Sequence, residues 1–364
     1  MRPILLLCLL LTGFEGMTQN RTNWGLEARM RSGFLIGHRV VMGHLANDHT
    51  YAAELSYVFR TNGEKSWHKH YKYPELSANL YYGSVGNTEI LGNFFGAYAS
   101  LSIPFVAKEK FRLNGKLGAG IGYTGKVYDE ALNKKNVAVS THLNALINIG
   151  IDAKTYFRKN WITVGIDLTH FSNGGFKVPN LGLNIPQIAL GYGRFISQTT
   201  EHSTLERPTA IPQRKLLLGA TAIASVKEVF PTNERAYPVF ALSIHARMFM
   251  KPKVGWEVSF DAISKQAILG YRPEIVKTQW EITQFGIYAG YLLPLNQFHF
   301  VLGMGAYVKD KYKPDGPLYH RVGMRYYLKN GIHFNLVLKS HWGKADYVEW
   351  GVGYSFFNLF NRKQ

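Results

Sequence analysis

The chain has 364 residues and a formal net charge of +18, yet only 18% of its residues are charged. Aromatics reach 14% and glycine occupies 36 positions, which suits girdled transmembrane strands better than a disordered basic tail. The positive balance raises nucleic acid as a partner, but no helix-turn-helix, zinc or RNA-recognition pattern is present, and an anionic membrane surface suits the basic turns better.

The N-terminus reads Met1-Arg2-Pro3 and then a short apolar run from Ile4 to Phe14. That is the pattern of a secretory signal peptide, and it is too short to span a bilayer. Cleavage is expected between Gly16 and Asn20, so residues 1–19 read as the signal. Cys8, the one cysteine, lies inside this run and is followed by more leucines, which argues against a lipoprotein anchor. The expected mature chain therefore has no thiol for a disulfide or a nucleophile. No later segment is long and apolar enough for a membrane helix.

From Trp24 onward the chain alternates with period two. Strand one, near 24–36, sets Leu26, Met30 and Phe34 against Glu27, Arg29 and Arg31. Strands two, three and four, near 51–60, 76–83 and 93–105, repeat the pattern. In strand five, Leu113, Leu117, Ala119 and Ile121 oppose Arg112, Asn114, Lys116 and three glycines. Strand six runs near 143–154, strand seven from Trp161 to Ser172, and strand eight ends near Phe195. Residues 197–214 break the rhythm with Pro208, Pro212 and polar residues, and read as a linker. Eight more strands are expected near 215–225, 238–250, 253–262, 280–293, 298–308, 319–328, 332–342 and 347–357.

The polar rows carry charges and glycines, so they belong in a small lumen, and the apolar rows belong in lipid. Lipid-exposed strands need a closed barrel, because no edge can go unpaired there. A soluble β-sandwich is the competing reading. Aromatics at strand ends and eight consecutive long strands tell against it. The expected fold class is thus all-β: a transmembrane antiparallel β-barrel architecture with eight strands in residues 20–196 and eight in 215–364. Two small barrels are favoured over one of sixteen strands, because the break falls after strand eight.

In strand seven the apolar row Ile162, Val164, Ile166, Leu168 continues into His170 and Ser172. A polar pair on the greasy side makes sense where that side meets lipid and the pair sits at the rim of the hydrocarbon. There a nucleophile and its base would meet an ester carried by a lipid. The plainer reading is two interfacial polar residues that end a strand. Asn184 shares the parity of the apolar row of strand eight.

The stretch His170-Phe171-Ser172-Asn173-Gly174-Gly175-Phe176-Lys177-Val178-Pro179-Asn180-Leu181-Gly182-Leu183-Asn184 resembles the active-site signature of the lipid A 3-O-deacylases, outer-membrane acyloxyacyl hydrolases with an eight-stranded barrel. That pattern is His-x-Ser-Asn, then Lys, Pro-Asn, Gly and an acidic residue. All but the last are matched. With the strands around it the resemblance covers roughly residues 24–195, and it does not reach 215–364. It implies Ser172 as nucleophile, His170 as general base, and oxyanion donors among Asn173, Gly175 and Asn180. The family orients its histidine with a glutamate, and Asn184 stands at that position. An amide oxygen can hold the imidazole tautomer but cannot offset its charge.

Other features carry less. Lys177 is a candidate for a lipid A phosphate, or a solvated loop lysine. Lys65, His68, Lys69, His70 and Lys72 form a basic cluster with Trp67 and Tyr71; His68 and His70 lack enough nearby ligands for a metal and read as a solvated turn. Ser340 and His341 are adjacent, so they point to opposite faces and cannot pair. The function expected is hydrolysis of an ester-linked acyl chain of lipid A, with no cofactor or metal. The expected partners are lipopolysaccharide and outer-membrane lipids, with no nucleic acid. The alternatives are a structural or pore-forming barrel with a degenerate site, and a lipid-binding surface barrel.

Overall fold

A computed structural model describes residues 23–197, 215–230, 232, 235–271 and 273–358. The expected signal peptide and residues 198–214 of the expected linker lie outside these. The first eight strands are β1 (Trp24–Phe34), β2 (His49–Arg60), β3 (Glu75–Ser84), β4 (Asn93–Ala107), β5 (Phe111–Thr124), β6 (Leu143–Phe157), β7 (Asn160–Ser172) and β8 (Leu183–Ser197). Each pairs antiparallel with the next, and β1 closes on β8, with Met30 opposite Ala53 on one side and Leu190 on the other. The second eight are β9 (Lys215–Glu228), β10 (Ala236–Lys251), β11 (Val254–Lys265), β12 (Thr283–Leu295), β13 (Phe298–Lys309), β14 (Leu318–Tyr327), β15 (Ile332–His341) and β16 (Lys344–Asn358). They close through β16 on β9, with Val352 opposite Ala222. Two closed barrels form, and the sixteen-stranded alternative does not.

Alternation decides which side of the wall each residue takes. Leu26 and Met30 are 53% and 66% exposed, while the intervening Arg29 is 4% exposed. An outer wall of Leu, Ile, Val and aromatic side chains is the surface of a barrel immersed in lipid. Inside, an eight-stranded barrel is just wide enough to be filled by side chains. Here much of the filling is ionic. Arg29 meets Asp152 and Glu27, each at 3.0 Å. Arg31 meets Glu54 at 2.6 Å and Asp167 at 3.2 Å. Lys154 meets Glu75 at 2.7 Å. The second lumen repeats the device, with Arg321 between Glu349 (2.8 Å) and Asp261 (2.7 Å), and Arg325 on Glu257.

Removing one member of a buried pair strands the other. Arg31 is the only cation within ion-pair reach of Asp167 among the described residues. Arg31→Leu is therefore expected to destabilise the first barrel by about 3–5 kcal/mol. The measurement is the denaturant midpoint of the folded, heat-modifiable species in detergent. An unchanged midpoint would show that the network adds nothing net.

Above the ionic layers, toward the end that carries the β7–β8 connection, the first lumen is plugged by an apolar cluster. Tyr81, Phe94, Leu146 and Phe171 meet there, with the Phe94 and Phe171 rings 4.6 Å apart. Two boundaries differ from the periodicity. β1 ends at Phe34 rather than near residue 36, where its ladder with β2 stops opposite His49, although Leu35 still points into this plug and the Ile36 amide still donates to the Asn184 carbonyl of β8. β12 starts at Thr283 rather than near 280. Thr278 and Glu281 form a reciprocal capping box, which commits Gln279–Ile282 to one helical turn.

Candidate active site

The site is built on the outer wall, where β7 and β8 end. Ile162, Val164, Ile166 and Leu168 form the exposed outward row of β7, and His170 and Ser172 continue it. Phe171, between them, points inward into the apolar plug and is fully buried. One strand thus anchors itself with one side chain and presents its neighbours on the other face. Asn184 lies directly opposite His170 in the β7–β8 ladder, on the outward row of β8. Directly opposed residues on one face are the closest side-chain neighbours a sheet offers.

The three side chains form a relay. Asn184 Oδ1 is 2.7 Å from His170 Nδ1, and His170 Nε2 is 2.9 Å from Ser172 Oγ. An amide oxygen can only accept, so Nδ1 carries the proton. Nε2 then has its lone pair toward the hydroxyl, which is the tautomer a general base requires. The remaining amide nitrogen of Asn184 faces His38 Nδ1 at 3.3 Å. That orientation of the amide satisfies both imidazoles together.

Although it continues a lipid-facing row, Ser172 is only 6% exposed, and His170 is half-buried. Gly182 is one reason. It has a φ of +75°, and an added Cβ would lie 3.0 Å from His170 Cε1 and 3.4 Å from the Ser172 Cβ. Only glycine adopts this backbone readily while approaching the ring so closely.

The residues from Asn173 to Leu181 leave β7 directly beside the site and are tied to the β5–β6 connection. Asn173 Nδ2 donates to the Lys177 carbonyl (2.8 Å) and to Ser140 Oγ (3.1 Å). Ser140 Oγ in turn donates to the Lys177 carbonyl. Gly182 N donates to the Ala138 carbonyl at 3.0 Å. Asn180 Oδ1 accepts from the Asn173 amide (3.1 Å), and Asn173 Oδ1 accepts from the Gly175 amide (3.0 Å). The backbone donors of Asn173 and Gly175 are thus engaged within the loop, and the Asn180 side chain is anchored there through its oxygen. The structure brings Ser172, His170 and Asn184 into one line, with Asn173, Gly175 and Asn180 in the loop beside them.

Sequence reasoning did not single out His38 or Ser140, and it placed Gly182 in the signature without giving it a role. His38 and Ser140 reach the site from connections 146 and 33 residues away from their partners, and no local pattern marks them. Lys177 contributes its backbone carbonyl to the loop. His68 sits in a short helix, Ser66–His70, with its ring against Trp67. Burial, then the nearby Lys65, pushes its pKa down to about 4. His341 points into the second lumen and bonds Asp346 at 3.1 Å, while Ser340 faces the other way. Asp315, His341 and Asp346 lie close enough to hold a metal, but Lys265 already bridges both carboxylates, at 2.6 and 2.9 Å.

A hydrogen-bonded serine, histidine and amide on the outer rim of a barrel have the parts that ester hydrolysis at a membrane needs. Residues 51–193 match the family model described as lipid A 3-O-deacylase (PagL), and residues 216–359 match the model described as acyloxyacyl hydrolase, C-terminal domain. The chain belongs to the lipid A 3-O-deacylase family, whose members are carboxylic ester hydrolases. The second match extends the family to the half that the site signature does not reach. No curated protein matches the chain. Among solved structures, a mutant porin of Rh. blastica is 9% identical, covering 92% of this chain and 100% of its own, with a TM-score of 0.20. The siderophore receptor PirA from Pseudomonas aeruginosa is 8% identical, covering 93% and 82%, with a TM-score of 0.21. Likenesses this loose carry no argument about this chain.

Proposed function

We propose that the protein removes an ester-linked acyl chain from lipid A in the outer leaflet of the outer membrane, with Ser172 as nucleophile, His170 as general base and Asn184 as the residue that orients the imidazole. The single observation that carries this reading is the continuous Asn184–His170–Ser172 relay on the lipid-facing row at the barrel rim. Strand count supports the side of the membrane. If β1 starts in the periplasm, the β7–β8 connection ends outside, where lipopolysaccharide resides.

The steps follow from the geometry. Ser172 Oγ attacks the ester carbonyl carbon as its proton passes to His170 Nε2. The carbonyl π bond opens to an oxyanion, which donors in the Asn173–Asn180 loop stabilise, the Asn180 side-chain amide among them. The oxyanion collapses, the C–O bond to the sugar breaks, and Nε2 returns its proton to the departing sugar oxygen. A water molecule then attacks the acyl-serine, gives its proton to Nε2, and releases the fatty acid while Oγ recovers a hydrogen. By the description of its family, the ester cut is the one at the 3-O position.

Mass spectra of lipid A from cells with and without the protein test this reading. The expected result is loss of the mass of one hydroxyacyl chain. Unaltered lipid A in cells that carry the folded protein would overturn it.

A further inference from the structure

We infer that the second barrel is the bracket on which the catalytic loop of the first is held, with Glu228 as a positioning residue. The inference rests on Ser172 and His170 being the reacting pair. Glu228 is the last residue of β9, and it falls on the outward row of Ala222, Ala224 and Val226. That row otherwise faces lipid. Yet Glu228 is only 6% exposed. A carboxylate covered on the outside of a membrane barrel needs a hydrogen-bond donor. Its Oε2 accepts the backbone N–H of Val178 at 2.7 Å. Val178 stands in the middle of the loop beside the site, two residues before Asn180.

A second set of contacts comes from β16. Trp350 and Val352, on its outward row, are about half exposed, but Val348 on the same row is covered more deeply. Gly174 lies against it. A Cβ on Gly174 would come within 2.6 Å of Val348 Cγ2, and one on Gly175 would come within 2.6 Å of the Asp346 carbonyl oxygen. Both glycines have positive φ, +69° and +85°. The two glycines therefore serve the turn and its close approach to a neighbouring barrel wall together. The wall is itself fixed from within. The Asp346 side chain points into the second lumen and is held by Lys265 at 2.9 Å, by His341 at 3.1 Å and by Lys227.

The barrels also touch at their other end. Tyr71 OH donates to the Pro294 carbonyl at 2.8 Å, and Lys253 Nζ lies 5.2 Å from the centre of the Tyr71 ring. Two separated contacts resist rocking of one barrel against the other, so the loop rests on a surface that stays put.

Loop donors act where charge develops in the transition state, so loosening the loop lowers kcat more than it raises KM. The test measures both constants for acyl release from lipid A by the full chain in detergent. Glu228→Ala is expected to lower kcat about tenfold with KM nearly unchanged, since a small misplacement at a reacting centre is costly. Glu228→Gln keeps an oxygen that accepts the Val178 N–H and is expected to recover kcat to within about twofold. Val348→Ala removes the backing of Gly174 without burying a polar group, is expected to lower kcat about threefold, and serves if Glu228→Ala does not fold. Wild-type kcat in both alanine variants, with Ser172→Ala inactive, overturns the bracket and leaves the reacting pair standing. Full activity of Ser172→Ala overturns the pair, and the bracket with it. A Glu228→Gln as slow as Glu228→Ala overturns positioning through this hydrogen bond.

Discussion

Ser172→Ala should reduce acyl release from lipid A by on the order of 10⁴ or more, the scale on which removal of a serine nucleophile acts in other hydrolases. The barrel should be unaffected. Ser172 Oγ meets only His170 among the described residues, lies on the outer wall and supports neither the apolar plug nor the ion pairs of the lumen. His170→Asn should lose activity on a similar scale, because the serine would keep its hydroxyl but lose the base that takes its proton. Mass spectrometry of lipid A reports the activity, and gel mobility before and after heating reports the fold. Full activity in a folded Ser172→Ala variant would remove this residue from the chemistry.

Asn184 sets the second large effect. Its Oδ1 is the acceptor that fixes the proton on His170 Nδ1, at 2.7 Å. Without it either tautomer is available and the ring is free to turn, so Asn184→Ala should slow the reaction by about 10² to 10⁴, the upper end being what a wrong tautomer costs a serine protease. Asn184→Glu supplies an oxygen at the same place and adds a charge that stabilises the imidazolium formed as Ser172 attacks. It should match or exceed the parent rate. The same two measurements decide the matter. Should Asn184→Ala cost nothing while Asn184→Glu inactivates, the orienting group is another residue, and His38, within 3.3 Å of Asn184, becomes the first to examine.

What could be read before the structure follows from one rule applied many times. In a wall one residue thick, each side chain goes in or out, and Leu26 beside Glu27 or Ile166 beside Asp167 leaves no doubt which. The same parity sent His170, Ser172 and Asn184 to one face before their contacts were known. Parity says nothing about which charges meet. Arg31 finds Glu54, 23 residues away, and Asp167, 136 residues away, and only closure of the barrel brings them together. The loop was legible as a loop, but its seat was not, because Glu228 and Val348 belong to another barrel. At β12 the signal was present and misread. Thr278 and Glu281 have capping-box spacing, but Trp280 and Ile282 also alternate as a strand would.

With Ser172 as the proposed nucleophile, the ester would be met sideways. Ser172 lies on the outer face of the wall, away from the lumen that side chains fill, and is only 6% exposed. On that reading substrate would arrive by diffusion within the leaflet, a search in two dimensions. Turnover then follows the mole fraction of lipid A around the barrel rather than its bulk concentration. Inert lipid mixed into the same bilayer acts as a diluent, whereas the same lipid supplied as separate vesicles does not. The freed fatty acid leaves by the same lateral route, so the two lipid products part within the membrane and only the attacking water is drawn from outside it.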